Sequence, residues 1–266
     1  MPVFDAHVRL APPPTAVERL LHTLDAHGIE RAAVAAGGIL GLVQLSRQLV
    51  DGSHVTGDAD NDAVLRAALN APDRLTPVYF ANPHAPARRY RERAAEFAGM
   101  EISPAVHGVP LSDGRTAELV AVAAEHGHSV YTVCITRPGC EVADLVALAE
   151  RFPAVTFLLG HSGIGNIDFH AVELVRPLPN ILMETSGGYT TVVRAAVDRL
   201  GADRVLFGSE HPVQHPRVEL AKFEVLDLPA DQWRRISWDN AVALYDSPQR
   251  EGVPRDRHDH PAPATR

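Results

Sequence analysis

The sequence predicts a single-domain α/β fold, a (β/α)₈ barrel, and two observations lead to this fold class. Short apolar runs alternate with longer stretches that carry apolar residues at helical spacing through most of the 266-residue chain. About eight such strand–helix units in about 250 residues are what a (β/α)₈ barrel requires. A doubly wound open sheet is the competing architecture. It usually has a glycine-rich loop after its first strand, whereas residues 10–15 contain no glycine.

Strands are predicted where a short apolar run is bounded by turn residues or helical periodicity. Residues 129–135 are rich in β-branched side chains, which favour extended backbone. An extended stretch with loops at its two prolines, Pro104 and Pro110, is expected at 102–111. In chain order the predicted strands are 3–7, 31–36, 75–80, 102–111, 129–135, 155–159, 181–184 and 205–207.

Helices are predicted between these strands. In the first of them, Val17, Leu20, Leu21 and Leu24 recur at helical spacing. The helix over 142–151 must end before Pro153, because proline cannot continue a helix. The predicted helices are 15–27, 61–69, 85–97, 116–126, 142–151, 169–174 and 190–200, and the chain from there to residue 245 is expected to be mainly helical after the last strand.

Two segments depart from this alternation. Residues 37–60 form a long, glycine-rich insertion, and long loops of this kind on a barrel often act as lids over the active site. Residues 247–266 are polar and rich in proline and charge, which predicts a disordered tail. The barrel domain is therefore expected over residues 1–246.

Composition narrows the classes of function. The formal net charge is −8, so binding to nucleic acid or to an anionic membrane through bulk charge is not expected. Only two cysteines are present, which cannot form a disulfide framework and favours the reducing cytoplasm. The N-terminus shows no signal-peptide pattern, and no run approaches the roughly 20 apolar residues of a membrane span.

The candidate active-site residues are polar side chains that end apolar runs, because barrel enzymes place their sites at the C-terminal ends of the strands. Alternation puts Asp5, His7 and Arg9 on one face of the first strand. If that face points into the mouth of the barrel, three titratable groups meet there. A hydrogen-bonded structural histidine is an equally good interpretation of His7 from strand patterning alone.

Two further strand ends carry candidates. His161 directly follows a buried run and lies between Gly160 and Gly163, whose backbone freedom suits a ligand pocket. A turn with an exposed histidine is the alternative. Glu210 follows the last predicted strand, where it is either a site carboxylate or a cap for the next helix.

The remaining candidates are expected to contact substrate. Cys134 lies on a strand, where a cysteine is more often a small apolar core residue than a ligand or nucleophile. His107 and Glu184 also end strand-like runs, and His211 follows Glu210. Each of these side chains is placed to line the same mouth.

Several of these motifs, taken in order, resemble the amidohydrolase-related branch of the metal-dependent TIM-barrel hydrolases and decarboxylases. The resemblance covers residues 2–246 and implies a TIM barrel that acts on small carboxylated compounds, in an assembly that is often a homodimer. The motifs are Asp5-Ala-His7, Asn70-Ala-Pro-Asp-Arg-Leu75, Leu159-Gly-His161-Ser-Gly163, Phe207-Gly-Ser-Glu210-His211-Pro212 and Asn240-Ala241.

The metal site that this resemblance implies is incomplete. The family pattern has a second histidine on strand 1, where this chain has Arg9, and a histidine ending strand 5, where this chain has none. The strand 8 aspartate is replaced by Glu210. Arginine stays protonated and repels a cation, and strands 1 and 8 are neighbours in a closed barrel. We therefore expect Arg9 and Glu210 to form an ion pair where the metal would lie, and the site to bind no metal cofactor or to bind a metal only weakly.

The alternative cofactor is Zn²⁺ or another divalent metal, held by His7, His161 and Glu210, with Cys134 as a fourth possible ligand. In that form the metal activates water, and Glu210 or His161 takes its proton. In the metal-free form Arg9 anchors a substrate carboxylate or an oxyanion, and His7 or His161 is the acid or base.

The sequence therefore predicts an amidohydrolase-like enzyme that uses hydrolytic or lyase-type (decarboxylase-like) acid–base chemistry on a small, carboxylate-bearing molecule. The catalytic residues would be His7, Arg9, His161 and Glu210. A degenerate barrel that binds a ligand or partner without chemistry is the alternative, because two expected metal ligands are missing.

Overall fold

The computed structural model of the protein describes residues 1–12, 15–165 and 167–246. The predicted tail, 247–266, lies outside the described residues. Apolar residues of the strands and of the helices around them form the main core. None of the helices in the described part of the chain has the length and hydropathy that a membrane crossing requires.

The strands follow one another around the molecule in sequence order, and every paired neighbour is parallel. They are β1 Phe4–Leu10, β2 Arg31–Ala36, β3 Leu75–Pro77, β4 Tyr79–Phe80, β5 Gly99–Ile102, β6 Ser129–Thr132, β7 Phe157–Leu159, β8 Ile181–Glu184 and β9 Val205–Leu206.

In the described ranges, nine strand segments make eight strands, because β3 and β4 are two parts of one strand. Val78 separates them and still donates its N–H to the Val34 carbonyl at 2.9 Å. The first and last strands are joined by backbone hydrogen bonds beyond the end of β9. The Ala6 N–H donates to the Phe207 carbonyl (2.9 Å) and the Glu210 N–H to the His7 carbonyl (3.0 Å). The parallel sheet therefore closes into the predicted (β/α)₈ barrel.

The helices lie between successive strands, and several begin at an acidic cap. The carboxylates of Asp60, Asp113 and Asp168 each accept a hydrogen bond from a free backbone N–H of the first turn. The helices are α1 Ala16–Ala26, α2 Leu42–Asp51, α3 Asn61–Asn70, α4 Arg88–Arg91, α5 Pro104–His107, α6 Gly114–Glu125, α7 Val142–Arg151, α8 Phe169–Val175, α9 Thr190–Leu200, α10 Pro216–Leu226, α11 Ala230–Arg234 and α12 Asn240–Tyr245.

Two predicted elements are wrong in detail. The segment 102–111 is not an extended run: the strand lies earlier, at β5, and α5 follows with Pro104 at its first position, where the fixed φ of proline suits a helix. The helix expected over 85–97 is limited to α4 and one 3₁₀ turn, Ala94–Glu96. After this turn Phe97 is buried in the core, just before β5 begins.

One end of the barrel is sealed by α12. Phe4, at the N-terminal end of β1, packs against Tyr245 and Trp238 with ring centroids 5.7 and 6.0 Å apart. The Tyr245 hydroxyl donates to the Ala6 carbonyl at 3.2 Å. Polar side chains of the later part of β1 therefore lie toward the opposite, C-terminal end.

The insertion at 37–60 is not structureless, because it contains α2. This helix packs against α5, and the Gln48 side-chain amide donates to the carbonyls of Ala105 (3.2 Å) and Val106 (3.3 Å). Arg137 donates to the Gln48 carbonyl at 2.9 Å. These bonds fix α2 above the C-terminal ends of β5 and β6.

Candidate active site

The C-terminal end of the barrel holds four charged side chains in a closed network. Arg9 Nε donates to Glu210 Oε1 at 2.5 Å, and Arg9 Nη2 donates to Glu101 Oε1 at 2.9 Å. His7 lies between the same two carboxylates, with Nδ1 2.5 Å from Glu210 Oε2 and Nε2 3.0 Å from Glu101 Oε2. Each cation therefore pairs with both anions, and the predicted contact of Arg9 with Glu210 is one side of this arrangement.

The network is almost fully buried, and the low local dielectric strengthens the interactions within it. His7 is 2% exposed and Glu101 is fully buried. Burial would lower the pKa of His7, but the charges of Glu210 and Glu101 raise it to about 9. Burial would likewise raise the pKa of Glu210, but Arg9 and His7 hold it well below its usual range. At neutral pH His7 is therefore an imidazolium that faces a carboxylate from each ring nitrogen.

Local backbone structure brings these groups together. The register between β1 and β2 shifts between Asp5 and Val8. Simple alternation predicts that Asp5 shares a face with His7 and Arg9, but Asp5 does not join the network. Its buried carboxylate instead accepts hydrogen bonds from the N–H groups of His7 (3.2 Å) and Ser209 (3.0 Å). Burial raises the pKa of Asp5 to about 7. Asp5 thus links β1 to the loop that carries Glu210, whose own φ is left-handed at 54°.

This donor set does not fit a divalent metal. Both ring nitrogens of His7 face carboxylates. The same two carboxylates also bind the guanidinium of Arg9, so their oxygens are directed at positively charged side chains and not at a metal position. In the described ranges no group of three or more His, Cys, Asp or Glu side chains has the arrangement of a metal site. Burial also raises the pKa of the Cys134 thiol, which disfavours the thiolate that a metal needs.

His161 stands apart from the network on the turn that follows β7. Its backbone is left-handed, with φ 58°, and its N–H donates to Glu184 Oε2 at 3.2 Å. Its ring Nδ1 is 2.9 Å from Ser186 Oγ. Gly160 is required just before it, because a Cβ there would collide with the Tyr131 hydroxyl. The Tyr131 ring stacks on His7 at 3.8 Å.

A cavity of about 380 Å³ opens above these residues. Its charged and titratable groups are Arg9, Cys134, His161 and Glu210, and the insertion supplies much of its wall through α2. The remaining large apolar lining residues are Ile39, Leu40, Leu42, Leu45, Leu49, Phe80, Val106, Val133, Ile135, Ile164 and Val213. The cavity therefore combines a charged floor with apolar walls, and the lid role of 37–60 stays a prediction.

Four residues were expected to contact substrate, and only Cys134 lines this cavity. His107 is buried, with Nε2 3.1 Å from the Gly57 carbonyl. Glu184 lies beneath His161, away from the cavity. His211 joins the site through its backbone, since its carbonyl accepts the Arg9 N–H at 2.7 Å.

Three residues of this site were not predicted from the sequence: Glu101, Tyr131 and Ser186. Glu101 lies in the run Gly99-Met-Glu-Ile102, and a charged residue within an apolar strand is itself a signal. The strand predicted over 102–111 begins one residue after Glu101 and therefore leaves this residue out.

Comparisons with known proteins support the fold and indicate a family. The sequence model of the amidohydrolase family matches residues 4–247. A search of curated proteins found no match. Solved structures of similar fold include a 5-carboxyvanillate decarboxylase from Novosphingobium aromaticivorans, in complex with manganese and 4-hydroxy-3-methoxy-5-nitrobenzoic acid. It has a TM-score of 0.71 and 15% identity, over 92% of this chain and 96% of that one.

Two more solved structures resemble the chain over 92% of its length. A dihydroxybenzoic acid decarboxylase from Polaromonas sp., with bound manganese and 2-nitroresorcinol, has a TM-score of 0.68, 16% identity and 96% coverage of its own chain. A candidate 2-pyrone-4,6-dicarboxylic acid hydrolase from Pseudomonas putida has a TM-score of 0.70, 19% identity and 97% coverage of its own chain. At these identities the likeness shows a common fold.

Proposed function

We propose, from the premise that the chain belongs to the amidohydrolase family, that it is a hydrolase or lyase whose chemistry needs no metal ion. Its substrate would be a small molecule with an apolar body and a carboxylate or a polarised carbonyl group. The observation that carries this proposal is the closed network of His7, Arg9, Glu101 and Glu210 at the floor of the cavity.

Arg9 is the anchor in this proposal. Two of its nitrogens bind carboxylates, whereas Nη1 makes no hydrogen bond to any residue that the structure describes, and the side chain keeps 15% exposure toward the cavity. Because Glu101 and Glu210 hold the guanidinium from two sides, its remaining N–H groups are fixed in direction. A fixed donor is what stabilises a substrate carboxylate or a developing oxyanion.

His161 is the proton-transfer residue. His7 is unsuited to that role at neutral pH, because it already carries a proton on each nitrogen and both face carboxylates. His161 lines the cavity beside Arg9 and Glu210 and has one ring nitrogen, Nε2, outside its bond with Ser186. In hydrolysis it would take a proton from water as the water oxygen bonds to the carbonyl carbon, and return that proton to the leaving oxygen.

The same groups can serve a lyase. For decarboxylation, Arg9 would orient the carboxylate, and protonated His161 would deliver its proton to the carbon that loses CO₂. The manganese-bound decarboxylases among the solved relatives make carboxylated aromatic compounds the first substrates to test, since the apolar walls suit a ring. Lactones and activated esters are the matching substrates for hydrolysis.

The test combines metal analysis with turnover. The purified protein is analysed for bound manganese, zinc and iron by mass spectrometry, then assayed on hydroxybenzoates, lactones and esters with and without a chelator. We expect less than 0.1 metal ion per chain and rates that the chelator does not change. His161→Ala should lower kcat by at least 100-fold. One manganese or zinc ion per chain that is required for turnover would refute the proposal.

A matched variant tests the charge argument directly. Arg9→His restores the His-x-His spacing of the family and removes the guanidinium. It should bind Mn²⁺ more tightly than the parent chain in a calorimetric titration. Ligand binding that depends on Arg9, with no turnover of any compound, would instead support the degenerate barrel.

A further inference from the structure

We infer that Ser186 and Glu184 are positioning residues that hold the His161 ring in one tautomer, with its proton on Nδ1 and Nε2 bare toward the cavity. This inference rests on the proposed role of His161 in proton transfer. Neither residue lines the cavity, so both would act through His161. The carrying feature is a chain of hydrogen bonds from the imidazole through one hydroxyl to one buried carboxylate.

The Ser186 hydroxyl sets the direction of this chain. It lies 2.8 Å from Glu184 Oε2 and 2.9 Å from His161 Nδ1. A hydroxyl has a single hydrogen to donate, and Ser186 Oγ donates it to Glu184 Oε2. The hydrogen of Ser186 therefore goes to Glu184, and Ser186 Oγ must accept from His161. The imidazole can satisfy that bond only with its proton on Nδ1.

The surroundings of Glu184 hold its carboxylate in place. It is fully buried, and its oxygens also accept the Ser186 N–H (2.6 Å), the His161 N–H (3.2 Å) and the Tyr131 hydroxyl (3.2 Å). Two of these donors are backbone N–H groups, which can only donate a hydrogen bond. Gly208 presses against the carboxylate from the far side, where a Cβ would collide with it. Glu184 thus has no room to turn away from Ser186.

Glu184 also fixes the backbone of His161. Left-handed dihedrals at a non-glycine residue persist only where the surroundings impose them, and both His161 (φ 58°) and Ser162 (φ 57°) have them. The bond from the His161 N–H to Glu184 supplies such a constraint. The Glu184 carboxylate therefore holds the main-chain turn directly and orients the His161 ring through Ser186. Together these two contacts determine where Nε2 points.

The tautomer can be observed without any substrate. In ¹⁵N-histidine NMR spectra, a protonated and a bare ring nitrogen resonate far apart, and the His161→Gln variant identifies the signals of residue 161. We expect wild-type His161, in its neutral form, to show a protonated Nδ1 and a bare Nε2. A wild-type protein with the proton on Nε2 would overturn the inference without any further variant.

Ser186→Ala removes the acceptor, and the two tautomers should then mix. Ser162→Ala is the matched control, because Ser162 is a buried neighbouring serine whose hydroxyl has no hydrogen bond in the described part of the chain. With a turned-over substrate, Ser186→Ala should lower kcat at least tenfold with little change in KM, Ser186→Thr should recover part of the rate, and Ser162→Ala should leave the spectrum unchanged.

The outcomes separate the two claims. If His161 proves essential for turnover but its proton lies on Nε2, the positioning inference fails and the proposed function stands. If Nδ1 carries the proton as expected but no compound is turned over, the proposed function fails and the tautomer assignment stands. An unchanged spectrum in folded Ser186→Ala would also overturn the role of Ser186.

Discussion

The charge on His7 makes the stability of the fold depend on pH in a way that can be measured. The ordinary pKa of histidine is 6.5, and in this site it is raised to about 9. The folded state therefore holds a proton that the unfolded chain releases between these two values. The resulting stabilisation is complete below pH 6.5 and is lost as the pH rises through 9.

The size of the effect follows from the two values. One pH unit between them corresponds to about 1.4 kcal/mol, so the whole displacement amounts to about 3 kcal/mol of unfolding free energy. His7 is 2% exposed, so screening by solvent takes little from this figure. A loss of that size is a large share of the 5–15 kcal/mol that folded domains usually have.

Urea unfolding followed by circular dichroism at pH 6, 7, 8, 9 and 9.5 measures this loss. His7→Gln is the reference, because it lacks the titrating imidazole. It keeps Asp5 and Cys134, whose pKa values also differ between the folded and the unfolded state. The stability difference between the parent chain and His7→Gln should shrink by about 3 kcal/mol between pH 6 and 9.5. A difference that stays level, or widens, would refute the imidazolium assignment.

Three further predictions follow from the site. Glu101→Gln should cost about 3–5 kcal/mol in urea unfolding, because it leaves a buried positive charge uncompensated. Glu125→Gln, in the exposed pair with Arg91, is the control and should cost far less because solvent screens that pair; equal losses would contradict the burial argument. The parent chain should lose about 3 kcal/mol more than Asp5→Asn as the pH rises from 4 to 7, because the Asp5 carboxyl, with its pKa raised to about 7, stays protonated in the fold while the unfolded chain releases that proton. The readout is the urea midpoint at each pH, and parallel curves would count against this prediction. Leu49 is half-exposed on α2 and lines the cavity, so Leu49→Ala should raise KM severalfold and leave kcat and the melting temperature nearly unchanged. An unaltered KM would show that this face of α2 does not contact the substrate.

Periodicity and strand ends were sufficient to predict most of the fold. The strands at 31–36 and 181–184 and the helices at 142–151 and 190–200 have the predicted bounds. The errors lie where tertiary structure overrides local pattern. Pro104 reads as a break in an extended run, but once β5 ends before it the same residue starts a helix.

The site was only partly predictable for a similar reason. The pairing of Arg9 with Glu210 follows from strands 1 and 8 being neighbours, which topology alone supplies. Glu101 comes from β5, which lies across the barrel mouth, and no local pattern reports a contact over that distance. Ser186 was missed because its role depends on two hydrogen bonds to residues 161 and 184.

In the proposed mechanism, the charges of the network explain why the acid–base residue lies outside it. Arg9 and His7 together carry two positive charges, as a divalent metal would, but Glu101 and Glu210 neutralise both. Such a network can anchor an anion through an unused N–H, yet it has no open coordination position at which water could bind and lose a proton. Water or substrate must therefore exchange its proton with a separate group at the cavity. Of the titratable side chains that line it, Arg9 stays protonated and Glu210 is held ionised by two cations. Burial raises the pKa of the Cys134 thiol, so in the proposed mechanism His161 remains as the residue that can both take and return a proton.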